Sequence, residues 1–299
     1  MDKEVQRIVR DIKSLKIQGA RNIAKAAVDA LAIESSAFKG TNRNSYISAL
    51  LVAADELAAA RPTEPMLRNC LRYILNYVQR DKDASVPELK ALVLSLQKSI
   101  HKDMERSKEA IVEYGASLIR EGRTYLTHCH SSTVVGIFTR AYDTGKDFSV
   151  IACETRPLYQ GVRTAKELAS HGIQTTLIVD SAAHSYIRHC DAVFVGADAV
   201  TSSGNLVNKI GTASIAHSAH LFEVSFYSAA ELYKFDYLTR WGMHEPIEQR
   251  SPDEVYKGTK PKMLKIANPA FDVTPADYVT AYITEKGIVP PQSIMMFAK

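Results

Sequence analysis

YLTHCHSSTVVGIFTRAYDTGKDFSVIACE, residues 125–154, decides the fold. It opens on a short apolar run ending in a cysteine (125–129), passes a helical stretch at 133–143, and reaches a second apolar run, FSVIACE, at 148–154. Runs this short, rich in β-branched and aromatic residues, predict buried strands. The pattern repeats outward. TTLIVD (175–180), AVFVGAD (192–198) and FEVSFYS (222–228) predict strands, with helical stretches at 162–171, 181–189 and 210–220. A last strand is predicted at DYVTAYIT (277–284), followed by the rigid turn GIVPP. Such alternation implies an α/β fold with a parallel sheet covered on both faces, a Rossmann-like domain over residues 122–299.

Upstream the spacing is helical throughout. Val5, Ile8, Val9, Ile12, Leu15 and Ile17 recur at three and four residues, and Ala24 to Ile33 continues the style after Gly19. Tyr46 to Ala60 and Leu67 to Val78 predict two more helices, and a long one starts near Pro87 and stops at Glu121-Gly122. Residues 1–121 therefore form a helical domain ahead of the strand-bearing one.

Composition narrows the function classes. The 299 residues are 46% hydrophobic and 23% charged, an ordinary globular balance. A net charge of +4 from 37 basic and 33 acidic residues is too small to predict nucleic-acid binding, although local cations could hold an anion. The four cysteines, Cys70, Cys129, Cys153 and Cys190, form no CxxC pair, which argues against a zinc knuckle or disulfide framework. Neither an apolar signal core nor a membrane-length run is present, so reduced thiols in a cytoplasm are the expectation.

Open parallel sheets bind ligands beyond the carboxyl ends of their strands, where two of the predicted strands end on Cys129 and Asp198. Ser131, Ser132 and Thr133 follow Cys129 and open a helix, whose free N–H groups favour anions and lower a thiol's pKa. His128 and His130 flank Cys129, but neighbouring strand residues point to opposite faces and cannot converge on one metal ion. In GADAVTSSGNLVNKIGT, Ser202 to Asn205 predict a turn, and Asn208 and Lys209 lead towards the helix after Gly211. An acid, an amide and a cation so placed predict a site for a polar, phosphorylated molecule. Arg61, Arg156 and Lys234 are further cations at loop starts, and Gln160-Gly161 offers an amide beside an approachable backbone.

Together THCHSSTV, ETRPLYQGVRTAKELASHGI, VDSAA, GADAVTSSGNLVNKIGT, NPAFDVTP and ITEKGIVPP resemble one superfamily across nearly the whole chain. It unites archaeal ribose-1,5-bisphosphate isomerases, methylthioribose-1-phosphate isomerases and the alpha, beta and delta subunits of translation initiation factor 2B. The pattern is most similar to the first group. That resemblance implies a helical domain, a Rossmann-like domain, and a homo-oligomer, dimer or hexamer. It implies Cys129 and Asp198 as the catalytic pair, with substrate contacts at Gly19, Ala20, Arg61, Ser131, Ser132, Thr133, Gln160, Asn208, Lys209 and Lys234. The methylthioribose-1-phosphate isomerases are a poorer match, because their longer RGA-containing stretch is missing.

One departure stands out. The isomerases carry an RGA triplet whose arginine lies near a substrate phosphate, whereas this chain reads Gln18-Gly19-Ala20-Arg21. A neutral Gln18 supplies no charge-assisted bidentate contact, which leaves Arg21 as the nearby cation. The segment after Arg61 also diverges, where Glu64 brings a negative charge near the expected phosphate site.

The implied activity is conversion of ribose 1,5-bisphosphate to ribulose 1,5-bisphosphate in AMP metabolism. Its partner is a phosphorylated sugar, with a nucleotide such as AMP as activator, and no metal, cofactor, membrane or nucleic acid. The expected chemistry has Cys129 as thiolate moving the C2 proton and Asp198 as acid, its pKa raised by apolar strand ends. The rival reading is a non-catalytic regulatory subunit binding a nucleotide or sugar phosphate and a protein partner. Gln18 and Glu64 favour it, and the intact Cys129 and Asp198 speak against it.

Overall fold

The computed structural model describes residues 1–297, so the last two residues of the expected 122–299 domain lie outside the described residues. The chain divides into two compact units, Met1–Arg106 and Ser107–Lys299. The division falls inside one long helix, α5 (Val86–Leu118).

The first unit is helical. Here α1 (Lys3–Lys13), α2 (Ala20–Ala37), α3 (Arg43–Ala60) and α4 (Pro65–Arg80) precede α5. Asp2 caps α1 by accepting the Glu4 N–H at 2.8 Å, a bond worth about 1 kcal/mol. α2 packs against α1, α3 and α4, and its small residues Ala24, Ala27 and Ala30 are fully buried where the helices approach.

The second unit is built on a seven-stranded sheet. Its members are β1 (Thr124–His128), β2 (Ser149–Cys153), β3 (Gln174–Ile178), β4 (Ala192–Val195), β7 (Ser225–Ala229), β9 (Ala281–Thr284) and β10 (Gly287–Val289). The order is β10-β9-β7-β4-β1-β2-β3, all pairs parallel except β9 with β10. α6 (Ser132–Asp143), α7 (Gln160–Ser170), α8 (Ala183–Ile187) and α9 (Thr212–Leu221) join the strands. Neighbouring residues feed opposite faces. Leu126, Ile151 and Val193 enter one apolar core with Ile215 and Phe226, while Tyr125, Val150 and Phe194 enter the other with Ile137 and Phe138. Each such buried side chain contributes roughly 1.5–3 kcal/mol, which explains why these strands read as continuous apolar runs.

Several boundaries differ from the sequence expectation. The strand expected at 222–228 begins at Ser225, because α9 runs to Leu221, Phe222 caps it, and Glu223 turns the chain at φ 57°. DYVTAYIT yields a strand only from Ala281, since Ala276–Tyr278 form a 3-10 turn. GIVPP is not all turn: Gly287–Val289 is β10. Residues 181–189 split into a 3-10 turn at Asp180–Ala182 followed by α8. A second, three-stranded sheet was not foreseen. It orders β5 (Ala199–Val200), β6 (Leu206–Lys209) and β8 (Phe271–Thr274) as β5-β6-β8.

Candidate active site

Strands β2 and β3 lie to one side of β1, and β4, β7 and β9 to the other, so the chain changes direction between β1 and β4. Those two strands pair in register, with His128 opposite Val195. Cys129 follows β1, and Asp198 stands three residues beyond the end of β4. Both chemical groups therefore emerge at the topological switch point, where an open α/β sheet parts its helices and leaves a crevice.

Cys129 leaves the strand by adopting φ +68°, a left-handed conformation uncommon outside glycine. Its N–H donates to Thr155 Oγ1 at 2.8 Å, and its carbonyl accepts from Thr164 Oγ1 at 2.9 Å. Burial pushes its thiol up to about 11; Lys209 pulls the other way, and the Asp198 charge adds to the rise. This corrects the expectation that the helix start lowers the thiol. Ser131 does cap α6 by accepting the Val134 N–H at 3.4 Å, but desolvation outweighs the helix end. Ser132 is the first residue of that helix, and Thr133 is buried just behind it.

The Gly196-Ala197-Asp198 loop is pinned from several directions. A Cβ on Gly196 would come within 3.0 Å of Ser131 Cβ, so glycine lets the two loops touch. Ser228 Oγ donates to the Gly196 carbonyl at 2.9 Å, and Lys234 Nζ donates to the Ala197 carbonyl at 2.7 Å. The Asp198 N–H donates to the Val207 carbonyl at 3.0 Å.

Asn208 and Lys209 lie on β6 rather than at a helix start, and both are buried. Asn208 Nδ2 donates to Thr212 Oγ1 at 3.0 Å, while Lys209 Nζ sits 4.9 Å over the Phe271 ring. Opposite them on β8, Asp272 accepts the Gly211 N–H at 2.7 Å and the Ala213 N–H at 3.2 Å, capping α9. Burial raises its carboxyl to about 6 despite those donors. Gln160 opens α7, and its buried Oε1 has no hydrogen-bond partner among the described residues, which leaves an acceptor for a ligand hydroxyl. Arg156 is instead occupied at the surface, donating to Tyr159 Oη at 2.8 Å.

The remaining candidates belong to the helical unit. Gln18 is exposed and its Nε2 donates to the Leu15 carbonyl at 2.7 Å. Gly19 precedes α2 at φ +84°, Ala20 begins that helix, and Arg21 pairs with Glu105 at 3.0 Å. Arg61 is buried with Glu64 at 3.4 Å, so the acid flagged in the sequence partners the arginine directly.

Sequence reasoning misses Thr155, Thr164, Asp180 and Asp272. Asp180 accepts the N–H groups of Thr155 at 2.8 Å and Arg156 at 2.7 Å, ordering the loop after β2. His128, held neutral by burial, uses Nε2 on the Ile210 carbonyl at 2.9 Å. Its Nδ1, the Cys153 sulfur and an Asp180 oxygen lie within 4.8 Å of one another, a potential ligand group drawn from three strand ends instead of from the HCH triplet. The only signal for the four missed residues is their presence in the ETRPLYQGVRTAKELASHGI, VDSAA and NPAFDVTP stretches.

The model for the Initiation factor 2 subunit family matches residues 16–291. Ribose 1,5-bisphosphate isomerase from Thermococcus kodakarensis is 41% identical over 295 residues, 97% of this chain and 92% of the relative. The protein of the same name from Methanocaldococcus jannaschii is 43% identical over 289 residues, 94% and 90% of the two chains. Among solved structures, translation initiation factor eIF-2B of Pyrococcus horikoshii superposes with TM-score 0.82 at 30% identity, covering 97% of this chain and 98% of that one. The 5-methylthioribose 1-phosphate isomerase of the same organism gives 0.80 at 29% identity, covering 98% and 87%. With its motifs, its two-part architecture and a match reaching from residue 16 to 291, the chain belongs to the initiation factor 2 subunit family.

Proposed function

We propose that the protein is an aldose–ketose isomerase that converts ribose 1,5-bisphosphate to ribulose 1,5-bisphosphate. The observation that carries this is the emergence of Cys129 and Asp198 together at the switch point between β1 and β4. Full-length similarity to relatives named ribose 1,5-bisphosphate isomerase supports the substrate. It favours a catalyst over the regulatory-subunit alternative.

In the reaction, a proton reaches the ring oxygen as the C1–O bond opens, and a base removes the C2 proton to give an enediol phosphate. A proton then adds at C1, the C2 hydroxyl proton leaves, and the ketone remains. Cys129 faces C2 and takes its proton, while Asp198 gives its proton to the ring oxygen, then accepts the C2 hydroxyl proton and relays it to C1. The thiol, held up to about 11, carries its proton at rest, so the thiolate that acts as the base forms only in the reactive complex. Such acid–base assistance contributes about 10²–10⁴-fold.

Lys209, Lys234, Ser131, Ser132 and Thr133 bind a phosphate, Gln160 and Asn208 bind sugar hydroxyls, and Gln18, Gly19, Ala20, Arg21 and Arg61 supply the contacts of the helical domain. The catalytic residues belong to the domain that begins at residue 122. The active form is a homo-oligomer in the cytoplasm with a nucleotide activator; no helix among the described residues is long and apolar enough to cross a membrane.

Incubation with ribose 1,5-bisphosphate in deuterium oxide tests the reaction and its route. Ribulose 1,5-bisphosphate carrying deuterium at C1 is the expected product. Failure of the folded protein to form it contradicts the reading, whereas product without deuterium contradicts delivery of an exchangeable proton to C1 by Asp198 and means that the C2 hydrogen passes directly to C1.

A further inference from the structure

Cys129 is not glycine, yet its backbone is left-handed, and such a residue persists only where its surroundings fix it. Two side chains do so here. Thr155 Oγ1 accepts the Cys129 N–H at 2.8 Å, and Thr164 Oγ1 donates to the Cys129 carbonyl at 2.9 Å. Both threonines are buried.

Each hydroxyl is itself held. Thr155 Oγ1 lies 3.1 Å from the Cys153 carbonyl, which takes its hydrogen, and Asp180 fixes the Thr155 N–H at 2.8 Å. The Thr164 hydrogen goes to Cys129, so Thr164 Oγ1 accepts from His130 Nδ1 at 3.0 Å, which makes that nitrogen the protonated one. Neither polar group of the Cys129 backbone is held by a strand or helix partner; both answer to side chains from the neighbouring crossover.

We propose that Thr155 and Thr164 are positioning residues that clamp Cys129 in this conformation and thereby aim its thiol at the substrate. They touch the reaction only through Cys129, and the role rests on Cys129 being the reacting group of the proposed isomerase.

Valine matches threonine in shape and removes the hydroxyl, while serine keeps it. The test compares Thr155→Val and Thr164→Val with Thr155→Ser and Thr164→Ser in the full chain. A displaced reacting group costs up to about 10²-fold, so kcat in the valine variants should fall about 10- to 100-fold. KM should stay within about twofold, because the clamp acts on the reacting atom and not on uniform binding. The serine variants should recover most of the loss.

Alkylation of Cys129 by iodoacetamide, followed on its peptide by mass spectrometry across pH, reports the thiol without any turnover. The valine variants should shift that curve and the serine variants should not. Thermal melts show whether each variant is folded; should Thr155→Val not fold, Thr164→Val leaves the buried Thr155 hydroxyl in place and carries the test. Valine variants that retain wild-type kcat overturn the proposal. If the wild type does not turn over ribose 1,5-bisphosphate, the isomerase reading falls and the alkylation curves decide the clamp alone: unchanged curves in folded valine variants overturn it, and shifted curves restored by serine uphold the hold of the two threonines on Cys129.

Discussion

Lys234 Nζ donates to the Ala197 carbonyl at 2.7 Å, so a buried cation from the turn after β7 grips the backbone one residue ahead of Asp198. A charged hydrogen bond of this kind contributes about 1.5–3 kcal/mol. Lys234→Met, which keeps the aliphatic stem, should lower the unfolding free energy by an amount in that range and reduce kcat more than Lys→Met changes on the exposed surface do. Urea denaturation and steady-state kinetics on the same preparations check both.

Gly161 is required by contact. A Cβ there would sit 1.6 Å from the Cys153 carbonyl oxygen, because the first turn of α7 rests on the end of β2. Gly161→Ala should destabilise the protein by about 3 kcal/mol or more, since backbone and not a movable side chain stands in the way. It should also displace Gln160, raising KM. Chemical denaturation tests the first effect and substrate titration the second.

The pH dependence of Cys129 follows from its burial. Its ordinary value is 9.0 and its folded value about 11, so the unfolded chain releases this proton first as pH rises. The stability it contributes is complete below pH 9 and is lost between about 9 and 11. Cys153 and Cys190, pushed to about 12 by burial, act in the same direction. Cys129→Ser should flatten the fall of stability across pH 9–11, as read from melts in matched buffers, and wild-type alkylation of Cys129 should still be rising at pH 10.

Arg61 and Glu64 form a buried pair at 3.4 Å. Breaking such a pair by neutralising one member is destabilising, by up to about 3–5 kcal/mol. Glu64→Gln should therefore lose stability on that scale, and a phosphorylated substrate that engages Arg61 should restore part of it. Thermal shifts with and without ribose 1,5-bisphosphate read both.

The central strands are legible in the sequence because β1, β2 and β4 are buried on both faces, which makes each an apolar run. Their carboxyl ends, and hence the placement of Cys129 and Asp198, follow from the same runs. The second sheet is not legible: β5 has two residues, and β6 pairs with β8 across the long segment between Lys209 and Phe271, so no local period announces it. The thiol's pKa runs opposite to expectation because a helix start can be read locally while desolvation depends on packing from distant segments, and desolvation is the larger effect. Thr155, Thr164 and Asp180 escape notice for a related reason. The two hydroxyls acquire meaning only when the left-handed turn at Cys129 brings its backbone to them, and the Asp180 carboxylate only through the Thr155 and Arg156 N–H groups it accepts.

The measurement closest to the central claim is turnover of ribose 1,5-bisphosphate by the wild type beside Cys129→Ser and Asp198→Asn, each shown to be folded. Product from the wild type, with kcat lower by about 10²-fold or more in each variant, is the predicted result. Full turnover by Cys129→Ser, or no turnover by any of the three, would contradict the account.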